Sequence, residues 1–312
     1  MSLFKSALIY HLVLVTAATG TTSAGIYKWT DANGKVHFSD KKHGHIQQEQ
    51  ITLDTQQSAW NRYNIEVKTI GATLSANEQR QIAEGVNWVY EFYDRVLFFD
   101  FYKTVPVSIT VLSDKSAYIS HLQKTYHYDA RHSLGVYLRS HNRIYTYINE
   151  QDRSRTFRTI KHETSHAIVD TLSTYTPRWL NEGLAEQMEF ISKNNGRLNI
   201  QAHKINQRIV QQDVKTGKIL SVEQLLKMKS SDWGRHMANN SSLQSQAGQF
   251  VNLLMQTGPD RSFISRLLHN FVRGDRTLSY YLVDDNYVGG IKTLELKWRR
   301  WAKTPGDKSI TL

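Results

Sequence analysis

A chain of 312 residues that is 40% hydrophobic and 21% charged, with only four prolines, can bury a sizeable core and lies outside the disordered, collagenous and repeat-built classes. The formal charge of +11 favours anionic neighbours without specifying a function. With no cysteine, disulfide scaffolds, thiol nucleophiles, Cys-ligated metals and a lipid-modified N-terminus are excluded.

Met1 to Ala24 carry one early cation, Lys5, an apolar run from Ala7 to about Val15, and a small-residue stretch ending at Ala24. That layout predicts a signal peptide over residues 1–24, cleaved after Ala24, and hence an exported protein, periplasmic or secreted. Neither this run nor any later one reaches the ~20 apolar residues of a membrane span, so the mature chain is expected to carry no transmembrane segment. Ile26 to Asp31 and Lys35 to Asp40 alternate apolar and polar residues across Ala32-Asn33-Gly34, which predicts a β-hairpin module over 25–41. The run Tyr27-Lys28-Trp29-Thr30-Asp31 to His37-Phe38-Ser39-Asp40 resembles a small domain of unknown function found just after the leader in exported proteobacterial proteins. The Gln-rich stretch that follows lacks periodicity and is expected to be a linker over 42–62, with His43 and His45 as solvated residues.

The main domain is expected over 63–304, ahead of a short tail, 305–312. Ile65 to Ile70 reads as a strand. Ser75-Ala76-Asn77-Glu78 has capping-box spacing before a helical pattern that runs to about Leu97. Val105 to Leu112 reads as a second strand, and Leu134 to Leu138 with Arg143 to Asn149 as a hairpin. His121, His127, His132 and His141 fall around a Tyr-rich loop, read as exposed loop residues with the lining of a substrate cleft as the alternative, and beyond Thr156 nearly everything is helical in pattern. The fold class is therefore α+β, with a small sheet first and a helical lobe after it.

The chemistry concentrates in His162-Glu163-Thr164-Ser165-His166. Two histidines four apart turn through about 400° of helix, so both rings reach one metal ion. Glu163 lies about 100° further round than His162, placed to act as general base on a water at the metal. A catalytic zinc needs a third protein ligand. A second helix starting near Pro177, with Arg178-Trp179-Leu180-Asn181-Glu182-Gly183-Leu184-Ala185-Glu186, packs back across a short loop and offers Glu182. Glu186, one turn on, is expected to accept a hydrogen bond from the far nitrogen of a ligand histidine.

His-Glu-x-x-His followed by Trp-Leu-Asn-Glu-Gly-Leu-Ala-Glu resembles the gluzincin metallopeptidases, the peptidase MA-like group in particular. The resemblance implies a zincin-like core, one Zn²⁺ per chain held by His162, His166 and Glu182, Glu163 as base, Glu186 behind the ligands, and a protein or peptide substrate. It also implies that the hairpin ahead of the zinc helix supplies an edge strand for substrate, with Gly135 and Tyr137 as binding positions. No Gly-x-Met-Glu-Asn motif precedes the zinc helix, which favours endopeptidase over aminopeptidase action. The family's oxyanion-stabilising Tyr has no counterpart in Ser242 to Ala247, and His236, Tyr280 and Tyr281 read better as packing or surface residues. An alternative keeps the zinc without the hydrolysis, as an adaptor binding envelope proteins. Trp298-Arg299-Arg300-Trp301-Ala302-Lys303 offers contacts to an anionic envelope surface, and export argues against nucleic acid as partner.

Overall fold

The computed structural model describes residues 25–30, 36–39, 42, 44, 49–52, 65–99, 108–239 and 242–312. The chain divides into two units, Met1–Asn61 and Arg62–Leu312. The expected leader, the Asn33-Gly34 turn, His43 and His45 lie outside the described residues.

In the first unit β1 (Gly25–Thr30) pairs antiparallel with β2 (Val36–Ser39), Tyr27 opposite Ser39 and Thr30 opposite Val36. A third strand, β3 (Glu49–Thr52), pairs with the other edge of β1, setting Gly25 opposite Thr52. The stretch expected to be pure linker over 42–62 thus contributes a strand. The physical reason is that a two-stranded hairpin is marginal in water, and a third strand satisfies the free main-chain groups along β1.

The second unit begins with β4 (Glu66–Ile70) and α1 (Ala76–Glu91). Ser75 and Glu78 form the capping box foreseen, with Ser75 N–H donating to Glu78 Oε2 at 2.8 Å and Glu78 N–H to Ser75 Oγ at 3.3 Å. The α-helix gives way at Phe92–Val96 to a π-helical turn that buries Phe92 and Tyr93. After β5 (Ser108–Leu112) comes α2 (Lys115–Tyr126), then β6 (Gly135–Leu138) and β7 (Arg143–Tyr147). The sheet order is β4-β5-β7-β6, with β4, β5 and β7 parallel and β6 antiparallel to β7 at an edge. Strand alternation sends Ile109, Val111 and Ile144 to one buried face. It sends Leu112, Tyr145 and Tyr147 to the other, against Tyr118 and Leu122 of α2. His121 therefore sits on a helix and not in a loop, in ring contact with Tyr126 and Tyr145, and His127 ends that helix at φ 54°.

Next come α3 (Arg153–Leu172) and α4 (Arg178–Glu189), a packed helix pair joined by five residues. The largely helical run expected beyond Thr156 is interrupted by the hairpin β8 (Ile191–Asn194) and β9 (Arg197–Ile200). Asn195 and Gly196, at φ 49° and 76°, supply the positive φ values that a two-residue hairpin turn requires. The helical lobe then follows as α5 (Lys204–Thr216), α6 (Val222–Lys227), α7 (Ser230–Asn239), α8 (Leu243–Met255), α9 (Gly258–Val272), α10 (Ser279–Asn286) and α11 (Gly290–Lys303). The expected tail is instead partly ordered, because β10 (Ile310–Thr311) pairs with β9.

The lobe is fastened to the helix pair by α8 lying against α4. A Cβ on Gly183 would come within 2.3 Å of Val251 Cγ2 and 2.8 Å of Ala247 O, so only glycine permits this approach. Trp179, Phe250 and Trp298 meet edge to face beneath it, each essentially inaccessible to solvent. Burying a side chain of this kind contributes roughly 1.5–3 kcal/mol. The C-terminal aromatic-basic run divides accordingly: Trp298 is buried with its indole N–H on Leu220 O, and Arg300 faces solvent. The architecture is α+β. Among the described residues no helix is long and apolar enough to cross a membrane.

Candidate metal centre

α3 owes its start to Asp152, whose side chain accepts from Arg155 N–H, and its position to residues Thr159, Ile160 and Thr164 buried against the sheet and α4. Thr159 shares its side of the helix with His162 and His166, both largely buried, and Ile160 and Thr164 lie on the other side. His166 Nδ1 donates to Asn181 Oδ1 at 2.8 Å and His162 Nδ1 to Glu189 Oε1 at 3.0 Å. These bonds occupy both Nδ1 atoms and turn the two Nε2 atoms toward each other across 3.1 Å, so that in the neutral rings both Nε2 lone pairs face one point. Glu182 Oε2 closes the triangle at 3.7 Å from His162 Nε2 and 3.5 Å from His166 Nε2.

Two imidazole nitrogens and a carboxylate oxygen facing one another make a donor set that can hold a metal ion. The spacing suits one. Tetrahedral zinc with N and O ligands at about 2.0–2.1 Å keeps its ligand atoms about 3.3–3.4 Å apart, and the three observed separations bracket that value. Burial lowers the histidine pKa values, but the surrounding carboxylates outweigh it and hold His162 well above, and His166 above, the ordinary range. Burial likewise raises Glu182, but the two imidazoles bring it well below the usual carboxylate value.

Glu163 lies on the flank of this triangle. Its Oε2 accepts the main-chain N–H of Tyr137 at 2.9 Å. Because that N–H points away from β7, the Tyr137 carbonyl and the main-chain groups of Gly135 also turn away from the β7 ladder. Gly135 lets β6 lie directly on α3, since a Cβ there would meet Thr159 Cγ2 at 2.6 Å and Glu163 Cγ at 3.3 Å. The Tyr137 phenol is engaged elsewhere, donating to Asn142 Oδ1 at 3.0 Å. A cleft of about 1160 Å³ runs between β6 and the helix pair, reaching His162, Glu163, His166 and Glu182.

The expectation for Glu186 is corrected. His162 Nδ1 bonds Glu189, and Glu186 Oε1 stands 3.9 Å away. Glu186 instead takes a 2.5 Å hydrogen bond from Asn206 Nδ2, and burial beside the Glu189 charge pushes its pKa up to about 7. His203 lies near both carboxylates, Nε2 at 3.5 Å from Glu186 Oε2 and 3.7 Å from Glu189 Oε2. Of the histidine cluster read in the sequence, His132 lines the cleft; Tyr128, Arg178, Asn181, Glu189 and Gln244, given no role in the sequence, line it as well. Asn181 and Glu189 share the helix face of Glu182, which is the signal that would have found them. Gln244 sits in the segment searched for a tyrosine, and its Nε2 donates to Glu182 Oε2 at 3.1 Å. His236 is exposed on α7 and Tyr280 lies under the Lys227 ammonium; neither of these, nor Tyr281, lines the cleft.

Residues 13–60 match the family model described as Domain of unknown function (DUF4124). The three strands of the first unit fall within that match. No curated protein matches the chain.

Proposed function

We infer that the Arg62–Leu312 unit is a zinc-dependent peptidase of gluzincin type, acting on proteins or peptides outside the cytoplasm. The observation that carries this reading is the convergence of His162 Nε2, His166 Nε2 and Glu182 Oε2 at 3.1–3.7 Å, beside a tethered Glu163 and within an open cleft. Zinc held there supplies a Lewis acid that brings the pKa of water from 15.7 to roughly 7.

The chain's own residues account for the rest. An extended peptide runs beside β6, using the outward main-chain groups at Gly135 and the carbonyl of Tyr137, which holds the scissile bond over the ligand triangle. Tyr137 N–H fixes Glu163 Oε2, which leaves Oε1 to take a proton from the attacking water. As the C–O bond forms and the C–N bond breaks, Glu163 passes that proton to the departing amine. Asn181 and Glu189 hold the imidazoles in the tautomer the metal requires. The absence of an amino-terminus recognition motif ahead of α3 favours cleavage at internal bonds.

The test is elemental analysis of the mature protein beside Glu163→Gln and Glu182→Ala, coupled to cleavage of unfolded casein. The expected result is near-stoichiometric zinc in wild type and Glu163→Gln, its loss in Glu182→Ala, and proteolysis in wild type alone. Zinc without proteolysis moves the assignment to a zinc-holding adaptor, and absence of zinc overturns both.

A further inference from the structure

Gln244 is the second residue of α8, and the close α4–α8 approach at Gly183 carries it over the ligand triangle. Its Nε2 lies 3.1 Å from Glu182 Oε2 and 3.5 Å from His162 Nε2. These separations fall in the same range as the 3.1, 3.5 and 3.7 Å that the three ligand atoms keep from one another. Five edges of one near-tetrahedron are therefore accounted for, and its fourth corner is the terminal amide of Gln244. A catalytic zinc keeps that corner for water or substrate.

We propose that the Gln244 carboxamide is a reversible fourth ligand that caps the metal centre, so that an incoming ligand or peptide must displace it. This rests on the zinc reading above. Amide nitrogen and oxygen are interchangeable by a half-turn about the last side-chain bond. In the orientation described, the NH₂ end serves Glu182; turned over, Oε1 occupies the same point, and the oxygen is the end a cation attracts. A neutral amide oxygen is a weaker zinc ligand than imidazole or carboxylate, which makes it the one group of the four that leaves readily. It is also chemically a peptide carbonyl. The cap is thus an internal counterpart of the substrate, displaced by a peptide that adds its pairing with β6 to the exchange and resisting small monodentate ligands that lack that pairing.

The experiment compares cobalt-substituted wild type, Gln244→Ala and Gln244→Glu. The readouts are the visible absorption of the cobalt, the affinity for acetohydroxamate, and retention of zinc against a chelator. A cap closed nine-tenths of the time weakens an external ligand about ten-fold. Gln244→Ala is therefore expected to shift the cobalt spectrum and bind acetohydroxamate about ten-fold more tightly. Gln244→Glu, with a permanent carboxylate at that corner, is expected to retain zinc longer and bind acetohydroxamate more weakly, which keeps the test decisive if the alanine variant folds poorly. Unchanged cobalt spectra and unchanged acetohydroxamate affinity in both variants overturn the cap and leave the three-ligand centre standing. Failure of wild type to take up one cobalt or zinc overturns the metal centre itself, and the cap with it.

Discussion

Tyr137 N–H donates to Glu163 Oε2 over 2.9 Å, so the carboxylate assigned as base is registered against the strand assigned to hold the substrate. A proline at 137 removes that donor without breaking the β6–β7 ladder, because the N–H faces away from β7 on an edge strand that tolerates proline; Tyr137→Phe controls for the lost phenol bond to Asn142. Tyr137→Pro is expected to lower kcat about ten-fold or more with zinc content unchanged. Steady-state kinetics beside metal analysis checks it; an unaltered kcat removes the anchoring role.

Glu189 and Glu186 make opposite claims on His162. Losing a group that orients a ligand histidine costs about 10–100-fold in metal affinity. Glu189→Gln is expected to weaken zinc binding by that factor, and Glu186→Gln, 3.9 Å from the ring, by far less. Competition with a chromogenic chelator ranks the two, and the reverse order refutes the hydrogen-bond assignment.

Removal of zinc is expected to lower Tm. A metal that binds only the folded chain stabilises it by about 4 kcal/mol when present at a thousand times its Kd. Differential scanning calorimetry before and after chelation reads the shift, and recovery with zinc but not with magnesium identifies the nitrogen-rich donor set.

At Gly183 a methyl group would meet Val251 Cγ2 at 2.3 Å and a main-chain carbonyl at 2.8 Å. Gly183→Ala is expected to cost about 1–3 kcal/mol through overpacking. Gly258→Ala, with nothing within 4 Å, is the control that should leave urea unfolding nearly unmoved.

The ion pair of Arg153 Nε with Glu78 Oε1 at 2.7 Å joins the start of α3 to the start of α1. Together with the Ser75 N–H it depresses the Glu78 pKa from 4.5 to about 2. A lowered folded-state pKa stabilises above the unfolded value, so this contribution is full above pH ~4.5 and is lost as pH falls toward ~2. Glu78→Gln is expected to flatten the decline of urea midpoints over that window. An unchanged slope would show that Arg153 does not hold the carboxylate.

The convergence of His162, His166 and Glu182 was readable from sequence because it depends on local periodicity. Four residues of helix bring His162 and His166 to one side, and a five-residue connection leaves α4 little choice but to fold back. The partner of His162 was not readable, because it depends on how far the two helices slide past each other. Their antiparallel run pairs the later ligand, His166, with the early Asn181, and the earlier ligand, His162, with the late Glu189. Glu186 and Glu189 lie on the same face, and only that sliding decides between them. The β8–β9 hairpin did carry a local signal in Asn195-Gly196, overridden by the helical pattern on either side. β3 carried almost none, being four residues whose strand character depends on a partner distant in the chain.

The three ligand residues lie within a stretch running from His162 to Glu182, on two helices whose contacts are short-range in sequence. Closing so short a loop costs little chain entropy, so this helical hairpin can form early, ahead of the sheet. The Glu163 tether to Tyr137 closes a loop of nearly the same length, 26 residues, but needs the docked β6 strand as well. On the proposed zinc reading, the groups that would hold the ion therefore sit on the helix pair alone, and the strand that would present a substrate joins them through one carboxylate, Glu163.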